Sequence, residues 1–343
     1  MKHKHNMPAG SPRKQRANAL FQQGKLKAAK KQYEKLCKEN NRDAESFYML
    51  GAVNGRLYKF DEAATNFRQA IALQPNAAAA HCGLGAALKA QGKLADAEQC
   101  FREALRLQPQ LTDALLELAR ILFNRGKLKE AEARLLELLK NAPECAAAHH
   151  LLGEVQQFRG NSEAAATHYR NALTINPDLA ESHNRLGYTL YSQGNVEEAI
   201  AHCRQATKLQ PRYLDAHKNL GMALMSSGQL EEAKTAYQSA LKIKPDYIDA
   251  VAGEAAVYES QGDVCAAYEK LAPLIERGIE HTGVALAFAR LCRHFERCPE
   301  AADYLAHLLK NEHLPTSTRE QLHFALGKLY DALGLYDKAF NAY

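Results

Sequence analysis

The sequence predicts an all-α fold built as a solenoid of antiparallel helix pairs, and three observations carry that expectation. Residue identities recur at an interval of 34, which marks a repeat architecture. Between the recurring small residues, apolar side chains follow helical spacing, as in Leu186, Leu190 and Tyr191. The length of 343 residues exceeds the ~250–300 at which single cores stop growing, a limit that does not bind a solenoid, whose units pack only on their neighbours.

Composition agrees: 46% apolar and 24% charged residues suit a folded chain and exclude a disordered or fibrous one. No run approaches the ~18 apolar residues of a membrane helix, and the N-terminus lacks the apolar stretch of a secretory signal. With no N-x-[ST] acceptor, a cytoplasmic protein without a membrane partner is expected. The formal net charge of +5 is uneven: residues 1–33 carry +9 and the remainder −4. Residues 1–9 read as a basic flexible leader. A basic arm can attract nucleic acid, but no aromatic residue precedes Phe21 to stack on bases, so nucleic acid is not the expected partner.

Counting from Ala44 as position 1, the repeat becomes explicit. Position 7 is Leu50, Leu84, Leu118, Leu152, Leu186 and Leu220, breaking at Glu254. Position 8 is always small, from Gly51 through Gly187 and Gly221 to Ala255, and position 20 is always alanine, from Ala63 to Ala267. Position 15 is glycine from Gly92 to Gly262, with Tyr58 the departure, and position 32 is proline from Pro75 to Pro245. The glycine can take φ > 0 and end the first helix. Small residues at positions 8 and 20 let two helix backbones approach, larger ones at 7, 24 and 27 fill the flanking space, and the proline stops the second helix.

This pattern resembles the tetratricopeptide repeat (TPR) family, and the resemblance implies a right-handed superhelix. Six successive units, 44–247, satisfy most of its positions. Eight 34-residue units are expected over 10–281, of which 10–43 and 248–281 diverge; a degenerate unit follows at 282–319, and a truncated one at 320–343, beginning near Glu320. Tyr343 falls inside the second helix of that unit, which suggests an excerpt of a longer protein.

No catalytic constellation is visible, so the chain itself is not expected to be an enzyme. The eight cysteines include no C-x-x-C, and Cys292 and Cys298 are the nearest pair; reduced core thiols are expected rather than a zinc site or a disulfide framework. His81, His149, His183 and His217 share position 4, too far apart along the stack to ligate one ion, and read as amphipathic fillers. Gly-Lys pairs at Gly24, Gly92 and Gly126 lack phosphate-loop spacing and read as turns. No metal and no cofactor is expected in this chain.

The resemblance implies instead a peptide-binding groove lined by positions 2, 5, 6, 9, 12 and 13 of the first helices. Carried onto this sequence, it gives Arg120, Phe123 and Asn124; Glu154, Gln157 and Phe158; Asn184, Arg185, Tyr188, Tyr191 and Ser192; and Lys218, Asn219, Met222, Met225 and Ser226. Aromatics and methionines would supply apolar anchors and the polar groups would set register. A protein or peptide partner held along this groove is the expected function. The family's carboxylate clamp is matched by Lys14 and Asn18, but Met49, Ala79 and Gly83 stand where it needs polar groups. The asparagine ladder of O-GlcNAc-transferase repeat arms is matched only at Asn219, which leaves that reading a second alternative. Residues 322–343 resemble the last repeat of bacterial TPR-sulfotransferases. That resemblance implies a substrate-recruiting arm as the other alternative, with phosphoadenosine phosphosulfate as cofactor of a domain beyond Tyr343.

Overall fold

The computed structural model describes residues 12–342, so the expected leader, residues 1–9, lies outside the described residues. Among the described residues there are twenty α-helices, one 3-10 turn and no strand. The chain divides into an N-terminal lobe, Met1–Ala164, and a C-terminal lobe, Ala165–Tyr343.

In the N-terminal lobe α1 (Pro12–Gln22) pairs with α2 (Leu26–Glu39), α3 (Ala44–Arg56) with α4 (Phe60–Leu73), α5 (Ala78–Ala90) with α6 (Leu94–Leu107), and α7 (Thr112–Asn124) with α8 (Leu128–Asn141). Helix α9 (Ala146–Phe158) follows, and α10 (Ser162–Ile175) contains the division. In the C-terminal lobe α11 (Ala180–Ser192) pairs with α12 (Val196–Leu209), α13 (Leu214–Ser226) with α14 (Leu230–Ile243), and α15 (Ile248–Ser260) with α16 (Val264–Glu276). The last pairs are α17 (Thr282–Leu291) with α18 (Cys298–Leu308) and α19 (Thr316–Ala332) with α20 (Tyr336–Ala342). Helix α19 opens ahead of Glu320, the expected start of its unit, just after Pro315.

The turn inside each pair is set by one residue. Gly194 ends α11 with φ of 83°, a conformation that costs an L side chain about 1–2 kcal/mol. Tyr58 and Glu296 adopt it nonetheless, at φ of 59° and 55°, and both stand at position 15.

Packing within a pair is closer than the sequence suggests. The residue at position 24 does not flank the small residue at position 8 but lies directly on it. A Cβ added to Gly187 would come 2.5 Å from Cys203 Sγ and 3.2 Å from the Ala199 carbonyl oxygen. Phe67 is wedged between Gly51 of its own pair and Gly83 of the next, and Tyr237 likewise between Gly221 and Gly253. One large side chain thus joins two successive repeats through two glycines. Burial pushes the Cys203 thiol up to about 12, which keeps it protonated and inert. Cys37 and Cys292 are buried too, whereas Cys265 is exposed and departs from the expected core placement.

The position-4 histidines do more than fill space. In His81, His149, His183 and His217, Nε2 lies 2.9, 3.2, 3.0 and 2.9 Å from the carbonyl oxygen of the proline six residues earlier. Each Nε2–H donates to Pro75, Pro143, Pro177 or Pro211 and ties a repeat boundary to the following helix. A second periodic contact runs along the second helices: Arg102 to Glu130 at 3.3 Å, Arg170 to Glu198 at 2.9 Å and Arg204 to Glu232 at 2.5 Å. These exposed pairs contribute roughly 0–1 kcal/mol each.

His183 has a further neighbour, and it supports a pH prediction. Because its Nε2–H is given to Pro177, its Nδ1 is bare and accepts from His202 Nδ1–H at 2.9 Å. Burial holds both imidazoles below their ordinary pKa. The bond to Pro177 and, to a lesser degree, Asp178 oppose this at His183; at His202, His183 and Arg170 reinforce it and Glu198 opposes it. The unfolded chain therefore binds more protons than the folded one near pH 6. The pair's contribution is complete above the ordinary imidazole value of about 6.5 and is lost as pH falls below it. The urea midpoint should drop between pH 7.5 and 5.5, and His202→Gln should flatten that drop. An equal drop in the variant would contradict the assignment.

Candidate functional site

First helices of successive pairs touch one another, α3 to α5 to α7 to α9 in the N-terminal lobe and α11 to α13 to α15 to α17 to α19 in the C-terminal lobe. Each lobe therefore presents a face of aligned first helices, and the expected groove residues divide between the two faces.

On the N-terminal lobe, Phe123 and Phe158 meet edge to face with ring centroids 5.2 Å apart, and Phe158 is 68% exposed. Arg120, Glu154 and Gln157 are half-buried and Asn124 is exposed. The pair of phenyl rings forms an apolar ridge with polar groups around it. Lys14 and Asn18, the two matches to a carboxylate clamp, are engaged internally. Lys14 reaches Glu45 at 2.6 Å and Asp43 at 3.2 Å, and Asn18 accepts from the Tyr33 hydroxyl.

On the C-terminal lobe the expected residues separate by burial. Tyr188 is 41% exposed and Ser192 and Ser226 are open, while Arg185, Tyr191, Lys218, Met222 and Met225 are half-buried. Asn184 and Asn219 are only 3% and 7% exposed. Asn219 Nδ2 donates to Asn184 Oδ1 at 2.9 Å, and Asn184 Nδ2 donates to the Tyr213 hydroxyl at 3.2 Å. This chain lies between α11 and α13 and stitches the helices together. Asn219 Oδ1 has no hydrogen-bond partner among the described residues.

The face continues beyond the residues expected from the sequence. A hollow of about 250 Å3 is bounded by Lys218 and Met222 of α13, by Asp249, Ala252 and Ala256 of α15, and by Arg290 of α17. Small residues on α15 make its floor, and Gly253 presses on Tyr237 below. His281 Nε2 lies 3.1 Å from Asp249 Oδ1, and this bond, with Lys218 nearby, holds the Asp249 carboxyl below its usual range. Arg290 reaches both oxygens of Glu259, with Nε at 2.7 and 3.0 Å and Nη2 at 2.8 Å. A second hollow, about 430 Å3, lies between α17 and α19. Asp249, Ala252, Ala256, Leu286, Arg290, Phe324 and Lys328 all occupy positions 2, 5 or 9 of their units. The signal was thus present in the repeat register, which extends into the divergent units as well.

Among the described residues, no three His, Cys, Asp or Glu side chains gather as a metal site, and no helix is long and apolar enough to cross a membrane. Aligned helix pairs with an open first-helix face define a helical-repeat protein. Family models described as tetratricopeptide repeat match residues 88–155 and 190–257, and 146–171; one described as TPR repeat matches 59–92 and 159–194. Together they cover residues 59–257 without a gap, more than half of the chain, and the chain belongs to the tetratricopeptide repeat family.

No curated protein matches the sequence. Among solved structures, a tetratricopeptide repeat protein from Parabacteroides merdae is similar, with a TM-score of 0.59 at 16% identity, covering 72% of this chain and 97% of that one. The C-terminal part of a TPR repeat-containing protein from Cytophaga hutchinsonii matches with a TM-score of 0.53 at 14% identity, covering 70% and 98%. Pseudomonas aeruginosa pilF matches with 0.51 at 24% identity, covering 61% and 95%. These likenesses are of fold. The chain is a repeat scaffold of the kind that mediates protein–protein interaction.

Proposed function

We propose that this protein binds an extended protein segment along the first-helix face of its C-terminal lobe. The observation that carries this reading is the recurrence of positions 2, 5 and 9 around two hollows on successive first helices. A stack of helices in register offers equivalent positions at every step, which suits a ligand that is itself extended. Tyr188, Met222 and the small residues of α15 supply apolar contact, and Lys218, Asp249 and Arg290 supply polar contact around it.

Tyr188→Ala is the cleaner test, because Tyr191 and Met222 both pack against the core and truncating either would also destabilise the lobe. Peptides selected from a random library on the full chain should lose about tenfold or more in affinity for this variant, at an unchanged melting temperature. Unaltered affinity would remove Tyr188 from the site. The sulfotransferase-arm reading rests on residues 322–343 alone, and the coding sequence downstream of Tyr343 tests it through the presence of a phosphate-binding loop.

A further inference from the structure

We propose that the hollow between α17 and α19 selects an acidic protein segment carrying a bulky apolar side chain. This deepens the reading of the first-helix face as a binding surface, and rests on it. The floor of the hollow is apolar, made by Leu286, Ala289, Ala325 and Leu329. Its rim carries Arg290, Arg293 and Lys328, and no carboxylate of the described residues lines it.

The three cations are not equivalent. Arg290 is compensated by Glu259, which it grips with two nitrogens. The Arg293 guanidinium reaches the main-chain carbonyl of Lys328, at 3.4 Å, and the Lys328 ammonium lies 4.4 Å from the centroid of the Phe324 ring. No carboxylate forms an ion pair with either among the described residues. Arg102, Arg170 and Arg204 on second helices each meet a glutamate one repeat on, whereas Arg293 and Lys328 share one rim with no acid of the described residues beside them.

Two like charges over an apolar floor create a positive potential that water screens less than at an open surface. An incoming Asp or Glu carboxylate would accept from the Arg293 guanidinium and the Lys328 ammonium together. A neighbouring Leu, Ile, Met or Phe would cover Leu286 and Leu329 and lie against Phe324, whose ring is largely exposed. A basic segment would bring like charges together, and a neutral one would leave both cations without a counterion, so the rim discriminates by charge.

The experiment is selection of a random octapeptide phage library on the full 343-residue chain, followed by fluorescence anisotropy with the synthesised peptides. Enriched peptides should be net acidic with at least one bulky apolar residue. Arg293→Glu with Lys328→Glu should weaken them by about tenfold or more, at an unchanged melting temperature and helical circular dichroism. Enriched peptides that are basic or uncharged would overturn the proposal. So would acidic peptides indifferent to the charge reversal, or an eight-nucleotide oligothymidylate that binds more tightly than they do. Peptides lost in Tyr188→Ala but indifferent to the charge reversal would leave the groove reading standing and remove this one. Failure to enrich any peptide would remove both.

Discussion

Gly187→Leu should lower stability by about 3 kcal/mol or more, the upper end of what overpacking a close helix contact costs. The first added carbon already falls 2.5 Å from Cys203 Sγ, and it also comes 3.2 Å from the Ala199 carbonyl oxygen and 3.3 Å from the Cys203 nitrogen, main-chain atoms that cannot move without shifting α12. The remaining atoms of leucine have no space between α11 and α12. Cys203→Ala removes the thiol and should recover a large part of the loss for Gly187→Ala, but little of it for Gly187→Leu, where the backbone is the obstacle. Urea midpoints of the wild type, Cys203→Ala, the two Gly187 variants and the two corresponding doubles form two double-mutant cycles. Hydrogen exchange should localise the effect to α11–α14, because a repeat array transmits damage chiefly to its neighbours. A midpoint for Gly187→Leu equal to that of the wild type would refute the packing described for position 8.

Glu254→Leu should act in the opposite direction, raising stability by about 1–3 kcal/mol. Glu254 stands at position 7, where six preceding repeats carry leucine, and it is 1% exposed. The buried carboxylate accepts from Gln238 Nε2 at 2.9 Å and lies 2.9 Å from Lys270 Nζ. Removing a carboxylate from water is costly, and a single partly exposed lysine with one amide offsets that cost incompletely. Leucine would complete the apolar column, while Gln238 and Lys270, both reachable by solvent, would turn to water. Lys270→Ala should destabilise, since it leaves the carboxylate buried with only Gln238. If Glu254→Leu instead lowered the urea midpoint, the Gln238–Glu254–Lys270 cluster would be holding α14, α15 and α16 in place.

Several features of this protein were readable from residues alone because they are local. Helix spacing, the turn residue at position 15, the proline at 32 and the small residues at 8 and 20 are repeated at every turn of the stack, so each reinforces the others. The same periodicity identified four histidines but not their task, since the acceptor of each Nε2–H is a main-chain carbonyl that no side-chain pattern reveals.

Accessibility was decided by the tertiary structure. Asn184 and Asn219 occupy groove positions by count, yet they are buried because α11 and α13 approach closely enough for their amides to bond to each other. Ala252 and Gly253 look like weak positions in a divergent repeat. They make the floor of a hollow because Tyr237 from the preceding pair fills the space beneath them. Which face a residue takes follows from its own helix, and a repeating sequence states it directly. Whether that face is open depends on side-chain volumes one repeat away, and the cation pair at Arg293 and Lys328 exists only because α17 and α19 are packed side by side.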